Sequence, residues 1–300
     1  MTKEVRTAPK TIYFYNVSAI HKFRKAGNEW EARKTKIDSA LEKVRELDLG
    51  DDETTTAIFE FRGAKMAMRI DRVGNNYYEG QIATIRDASF PQGLKDGELV
   101  ELDFKGTNLF EPSHFVYFTD SKILVMEYNH YAPHHAGFAV YIEKLSKKYG
   151  LEPNNVTITY DIGRDTLPRF IKDGHPVNGL RLRIGVHAYT PRTETQLSRM
   201  IFDTMRNARE SQVSEFDLVL NFEQATGSNQ KQNIVDLFRN EGIDFHNFIV
   251  EMEGIANFDF LKDKIKARID AKMTDLNRVD SEEMYKELRA QYTARYVPSR

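Results

Sequence analysis

The stretch that most constrains the fold runs from Ser113 to Gly150. Two apolar, aromatic-rich runs, His114–Phe118 and Ile123–Tyr128, flank the short polar turn Thr119-Asp120-Ser121-Lys122. Runs dense in Val, Ile, Tyr and Phe around such a turn predict a buried β-hairpin. Beyond the loop Asn129–His135, residues Phe138, Tyr141, Ile142, Leu145 and Tyr149 recur three and four apart. That spacing predicts a helix, and Gly150 stops it. A hairpin feeding an amphipathic helix is a complete packing unit, the heart of a first domain.

Around this unit the N-terminal half reads as strands and one further helix. Thr11–Val17 is a strand, His21–Lys25 a basic loop carrying Phe23, and Glu29–Asp48 a helix with Trp30, Ile37, Leu41, Val44 and Leu47 on one stripe. Thr54–Arg62, Lys65–Val73, Tyr77–Arg86 and Glu98–Phe104 follow as strands; Lys65–Val73 alternates strictly, the mark of a sheet with one wet face. Residues 1–150 therefore form an α+β domain.

Leu151-Glu152-Pro153-Asn154-Asn155 is the best linker, placing the boundary near 150–155 and a second α+β domain over 151–300. In that domain Val156–Tyr160, Leu180–Val186, Phe216–Phe222 and Asp244–Met252 read as strands. Asp161–Ile171, Thr193–Ala208, Asn233–Asn240, Phe260–Met273 and the segment opened by Ser281 read as helical, with Gln224–Asn229 a polar loop. Glu282 and Glu283 stand in the first turn of the last helix, where the dipole favours them. The expected fold is two domains, each a mostly antiparallel sheet with covering helices.

Several chemistries find no sequence support. The chain of 300 residues has no cysteine, which removes disulfides, thiol nucleophiles and Cys-ligated zinc. No apolar stretch approaches the ~20 residues of a membrane helix, and Met1–Lys10 leads into no signal-type core, so a cytoplasmic protein without membrane insertion is expected. Glycine loops for phosphate (GxGxxG, GxxxxGK[ST]) and the GxSxG elbow are absent. Ser, His and Asp are scattered without a local signature, and the expected catalytic set is empty. His130, His134 and His135 match no metal-ligand spacing, and Glu60, Asp71, Asp161 and Asp217 lie far apart in sequence, so neither metal nor cofactor is expected.

Basic clustering is what remains. Net charge is −2, so only a local positive face could attract a polyanion. Between Gly163 and Arg209 stand nine Lys/Arg (Arg164, Arg169, Lys172, Arg181, Arg183, Arg192, Arg199, Arg206, Arg209) against four acids (Asp165, Asp173, Glu194, Asp203). Arg181 and Arg183 share one strand face, since strand side chains repeat every two residues, and a guanidinium fork suits phosphate oxygens. A second set spans His21–Lys36, including Lys22, Arg24 and Lys25; a third is Lys262, Lys264, Lys266, Arg268 and Lys272. No base-reading motif accompanies them, so binding would be backbone-driven and indifferent to sequence.

In element order the chain resembles the RexA-like family of phage-exclusion and antiphage-defence proteins. The likeness runs through an aromatic N-terminal strand (TIYFYNV), a basic loop (KFRK), an apolar hairpin (FVYF…ILVMEYN), a proline-bearing loop into a helix (YAPHHAGFAVYI) and a terminal helix (MYKELRAQY). The resemblance implies sequence-independent binding of double-stranded DNA, a homodimer, and a role in stopping phage infection without catalysis of its own. The expected interface is Arg164, Arg169, Lys172, Arg181, Arg183 and Arg192 with Lys22, Arg24 and Lys25, and the terminal helix from Ser281 is the candidate dimer surface. The alternatives are a defence-system sensor or effector acting through a second protein, and a metal-dependent nuclease.

Overall fold

The computed structural model describes residues 6–24, 30–50, 56–61, 64–86, 93–95, 98–100, 108–163, 166–185, 196–211, 213, 215–226, 228–238, 244–275 and 278–297. Strands β1 (Thr7–Arg24) and β2 (Trp30–Thr35) precede helix α1 (Asp38–Glu46). Then come β3 (Ile58–Phe61), β4 (Ala64–Val73), β5 (Tyr77–Arg86), β6 (Gly93–Lys95), β7 (Glu98–Val100), β8 (Leu109–Phe118), β9 (Ile123–Glu127) and helix α2 (His135–Tyr149). The chain continues through β10 (Asn155–Tyr160), α3 (Thr166–Lys172), β11 (Val177–Gly185), α4 (Gln196–Glu210), β12 (Glu215–Thr226), α5 (Ser228–Phe238) and β13 (Asp244–Met252). It closes with β14 (Phe258–Asp259), a 3-10 turn over Phe260–Asp263, β15 (Lys266–Lys272) and α6 (Ser281–Tyr296). The fold is α+β on largely antiparallel sheets.

Two compact units emerge, one from residues 1–13, 19–154 and 266–300, the other from 14–18 and 155–265. One division falls after Asn154, within the linker read from the sequence. The last residues depart from that reading: 266–300 belong with the first unit, not the second. Helix α6 buries Met284, Tyr285 and Leu288 and packs on β8, β9 and β15. Its apolar side is therefore consumed within the unit.

The first unit is organised by the predicted hairpin. Strand β8 pairs with β9 from Phe115↔Met126 to Phe118↔Ile123, and with β5 from Tyr77↔Phe118 to Arg86↔Leu109. Strands β4 and β3 extend this sheet on the β5 side, and β9 neighbours β1, which also pairs with β15 and β2. Helix α2 covers it where the periodicity placed it, burying Phe138, Tyr141, Ile142 and Leu145. The Phe138 ring meets Phe115 edge-on at 5.0 Å, and Gly150 ends the helix with φ 64°. Helix α1 adds Leu41 and Val44 to the core.

Two segments read as helix are strands instead. Residues 30–35 form β2 and helix begins only at Asp38; the helix formers Glu31, Ala32, Arg33 and Lys34 are recruited by the extended end of β1, which turns the expected basic loop into a hairpin arm. Tertiary pairing overrides local propensity here. Likewise 266–272 is β15, in which Ile269 and Ala271 are buried between exposed Lys266, Arg268, Asp270 and Lys272. That is a period of two, not 3.6.

The second unit holds residues 14–18 of β1 beside β10 and a sheet ordered β12-β11-β13-β14. On β11, Leu180, Leu182 and Ile184 face a core that includes Phe170, Phe238, Phe245, Phe248 and Phe260. Helices α3, α4 and α5 contribute Leu167, Ile201, Met205, Ile234 and Leu237 to it. The expected loop at 224–229 is largely replaced, since β12 runs to Thr226 and α5 begins at Ser228.

Gly80 sits where β4 bulges between Ile70 and Arg72, and a Cβ there would stand 2.3 Å from the Arg69 carbonyl oxygen and 2.8 Å from Phe115 Cζ. Gly80→Ala is expected to destabilise the first unit by about 2 kcal/mol or more. Gly150→Ala meets nothing within 4 Å and costs only the left-handed backbone, about 1 kcal/mol. Urea denaturation followed by far-UV circular dichroism ranks the two; equal midpoints would refute the steric reading.

Candidate nucleic-acid interface

Arg181 and Arg183 project together from the outer face of β11, as their spacing predicts, and both are exposed. Neither guanidinium is left to solvent. Arg181 Nε donates to Glu251 Oε1 on β13. Arg183 grips Asp217 on β12 through two bonds, Nε to Oδ1 at 2.9 Å and Nη2 to Oδ2 at 3.2 Å, with Glu215 Oε1 at 3.5 Å. The hydrogen bond from Arg183 holds the Asp217 carboxyl below its ordinary range, and Asp217 in turn raises Arg183. Three carboxylates thus stand beside two guanidiniums on this face. Such cross-strand pairs stabilise sheet register but leave little net field for a polyanion.

The other expected contacts distribute as follows. Arg169 lies on α3 with its guanidinium 5.3 Å from the Phe258 ring, and Lys172 is exposed at the end of the same helix. Arg164, Arg192 and Lys25 lie outside the described residues. Lys22 and Arg24 belong to the first unit, whereas Arg169, Lys172, Arg181 and Arg183 belong to the second.

Lys22 and Arg24 sit in a different electrostatic setting. The register of β1 on β2 (Ile20↔Lys34, Lys22↔Ala32, Arg24↔Trp30) places Ile20, Lys22, Arg24, Lys34 and Ala32 on one face of a two-stranded ribbon. No acidic residue occupies that face among the described positions; Glu31, opposite Phe23, lies on the other. The other face is tied down. Arg33 pairs with Glu152, Thr35 Oγ1 donates to Glu152 Oε2 at 3.3 Å, and Phe23 stacks on His21 at 5.8 Å. The hydrogen bond from Arg33 leads the groups that hold Glu152 below the usual carboxylate range. Asn154 clamps the backbone of Lys22 from both sides, accepting from its N–H at 2.8 Å and donating to its carbonyl at 2.7 Å. Partial burial lowers the Lys22 ammonium from its ordinary value.

A second polar constellation lies within the first unit, and nothing in the sequence reading anticipated it as a group. Gln81 pairs with His114 across β5 and β8, and Glu127 stands opposite His114, one step past Phe115↔Met126. His114 Nδ1 meets Glu127 Oε2 at 2.6 Å, and Lys10 Nζ meets Glu127 Oε1 at 2.7 Å. His114 Nε2 meets Ser281 Oγ at 2.9 Å, and Gln81 Nε2 donates to the same hydroxyl at 2.8 Å. Burial pushes the Glu127 carboxyl up, but the hydrogen bond and charge of His114, together with Lys10, outweigh it, and the net shift is downward. Nearby, Glu79 is fully buried between Arg72 and Arg289, and the Tyr285 hydroxyl donates to Asp71. The hairpin turn and alternation were enough to pair His114 with Glu127. Ser281, more than 150 positions downstream, carried no such signal.

In the histidine loop, His134 stacks on Tyr128 at 5.0 Å and 11°, and His135 is buried at the start of α2. Burial, then the neighbouring His135 and His130, lower the His134 pKa. Among the described residues no three His, Asp or Glu side chains converge as a metal site would require.

A scan against protein-family models finds no match to this chain, and no curated protein matches it either.

Because its folded pKa lies below the ordinary 4.5, ionised Glu127 contributes stability that is complete above pH 4.5 and lost as pH falls through the folded value. An acid titration of urea-unfolding free energy should show this loss in the wild type. Glu127→Gln should be less stable at pH 7 by about 2 kcal/mol and flatter over the acid range. Parallel curves for the two proteins would overturn the assignment.

Proposed function

We propose that this protein binds double-stranded DNA through the phosphate backbone, without reading sequence, using the β1–β2 ribbon. The single observation that carries this reading is the strand register that gathers Lys22, Arg24 and Lys34 on one face of the ribbon. A two-stranded ribbon fits the width of a DNA major groove, and backbone binding needs cations in register rather than base-reading side chains. The paired state of Arg181 and Arg183 makes the outer face of β11 the weaker candidate. The setting, phage exclusion by a cytoplasmic homodimer with or without a second defence protein, rests on the resemblance.

Fluorescence anisotropy of the full chain with a labelled duplex, across a salt series, tests the proposal. Affinity should fall linearly on logarithmic axes, with a slope near −0.9 per phosphate neutralised. Lys22→Glu with Lys34→Glu should weaken binding at least ~10-fold and flatten the slope by about 2. Arg181→Glu with Arg183→Glu should leave both nearly unchanged. No duplex binding by the wild type at low salt refutes the function; wild-type behaviour of the ribbon variant refutes the surface.

A further inference from the structure

We propose that Ser281, His114 and Glu127 form an acyl-transfer centre that hydrolyses small carboxylic oxygen esters. This inference is independent of the nucleic-acid reading. All three residues lie in the first unit, and the distances are those of a nucleophile, a base and an orienting acid: 2.9 Å from Ser281 Oγ to His114 Nε2, and 2.6 Å from His114 Nδ1 to Glu127 Oε2. Such a triad is recognised by geometry and roles, not by sequence position, which is why no local signature marks it.

The carboxylate assigns the proton at one end of the relay. Glu127 is ionised at neutral pH and has none to give, so Nδ1 of His114 carries the proton and donates it. Nε2 is then an acceptor. Gln81 Nε2 lies 2.8 Å from Ser281 Oγ and 2.9 Å from His114 Nε2, so its amide protons bridge the hydroxyl and the ring; while Gln81 donates to Ser281 Oγ, the hydroxyl proton can turn to His114 Nε2. Lys10 holds the second oxygen of Glu127 and keeps the carboxylate charged.

Burial is graded along the relay. The side chains of Glu127 and His114 are 2% and 4% exposed, whereas Ser281 reaches partial exposure. The acid–base pair is thus dry and its interactions strong, while the residue that carries the nucleophile lies at the partly exposed end of the relay. Ser281 is also the first residue of α6, whose N-cap Asp280 takes the Glu283 N–H. The N–H groups of Ser281 and Glu282 have no acceptor within the helix. Lying on the nucleophile's own turn, they are the backbone donors a developing oxyanion could use.

The step balances without any further reagent. Ser281 Oγ adds to the ester carbonyl as its proton passes to His114 Nε2. Collapse of the tetrahedral adduct expels the alkoxide, which takes that proton and leaves as the alcohol. Water, deprotonated by His114 Nε2, then attacks the acyl-serine; the carboxylic acid departs and the proton returns to Ser281 Oγ. The net reaction is ester plus water to acid plus alcohol. An oxygen ester with a short acyl group is the substrate class, because the alkoxide leaves readily and Ser281 is only partly open.

Full-length protein is incubated with a fluorophosphonate probe, and the adduct is located by peptide mass spectrometry. The expected result is one adduct, on Ser281, that disappears in Ser281→Ala, together with p-nitrophenyl acetate hydrolysis that falls on the order of 1,000-fold in that variant. Glu127→Gln should lower kcat per phosphonate-titrated site, whereas a merely loosened fold lowers the number of titratable sites and leaves the turnover of each unchanged. Ser281→Ala removes one hydroxyl, and the variant should remain folded by circular dichroism with its DNA affinity unchanged, which separates this test from that of the ribbon. A folded wild-type protein with no adduct at Ser281, or hydrolysis that survives Ser281→Ala, overturns the proposal and leaves the relay as a device that holds α6 in place.

Discussion

A carboxylate sealed inside a sheet must be matched, and Glu127 sets the terms for much of the first unit. An isolated buried charge costs several kcal/mol, and removing one partner from a buried pair typically costs ~3–5 kcal/mol. The match comes from three directions: His114 on the next strand, Lys10 on β1 and, through the imidazole, Gln81 and Ser281. Each of those residues is in reach only if β5, β8 and β9 hold the observed register and α6 lies with its first turn over the row. A slip of one residue in any of these strands would turn its member of the row to the opposite face. The polar row therefore selects one alignment from several that apolar packing alone would tolerate.

The first unit's core was largely legible because periodicity there is unambiguous. The hairpin, helix α2 and its Gly150 cap all follow from apolar spacing and one stop residue. The misread segments share a cause. Residues 30–35 and 266–272 are rich in Lys, Arg, Ala and Glu, good helix formers, yet both lie along β1 and take its extended geometry. In 266–272 the alternation of Lys, Arg, Asp and Lys with Ala and Ile was visible and outvoted by charge. Of the constellation around His114, the turn residues imply only that Glu127 stands opposite His114; Gln81 reaches it through the separate pairing of β5 with β8. Ser281 required knowing that the end of the chain returns to the first unit.

Counting cations by sequence window overstated the second unit. Arg181 and Arg183 occupy one face as expected, but strand pairing brings Glu251, Asp217 and Glu215 to the same place. These acids are remote in sequence, so a window around β11 cannot see them. The ribbon shows the converse. Glu31 sits among the basic residues in sequence, yet register sends it to the opposite face from Lys22, Arg24 and Lys34. Which charges act together is decided by pairing, and pairing is a long-range property.

The return of residues 266–300 to the first unit bears on how the chain is made. During synthesis, β8, β9 and α2 emerge more than a hundred residues before β15 and α6 exist. Until those later elements follow, the row holding His114 and Glu127 lacks its roof, and the apolar patch awaiting Met284, Tyr285 and Leu288 stays open. A polypeptide released early would carry that unfinished surface and be an obvious target for quality-control proteases. Only once β15 and α6 have been made does the first unit close.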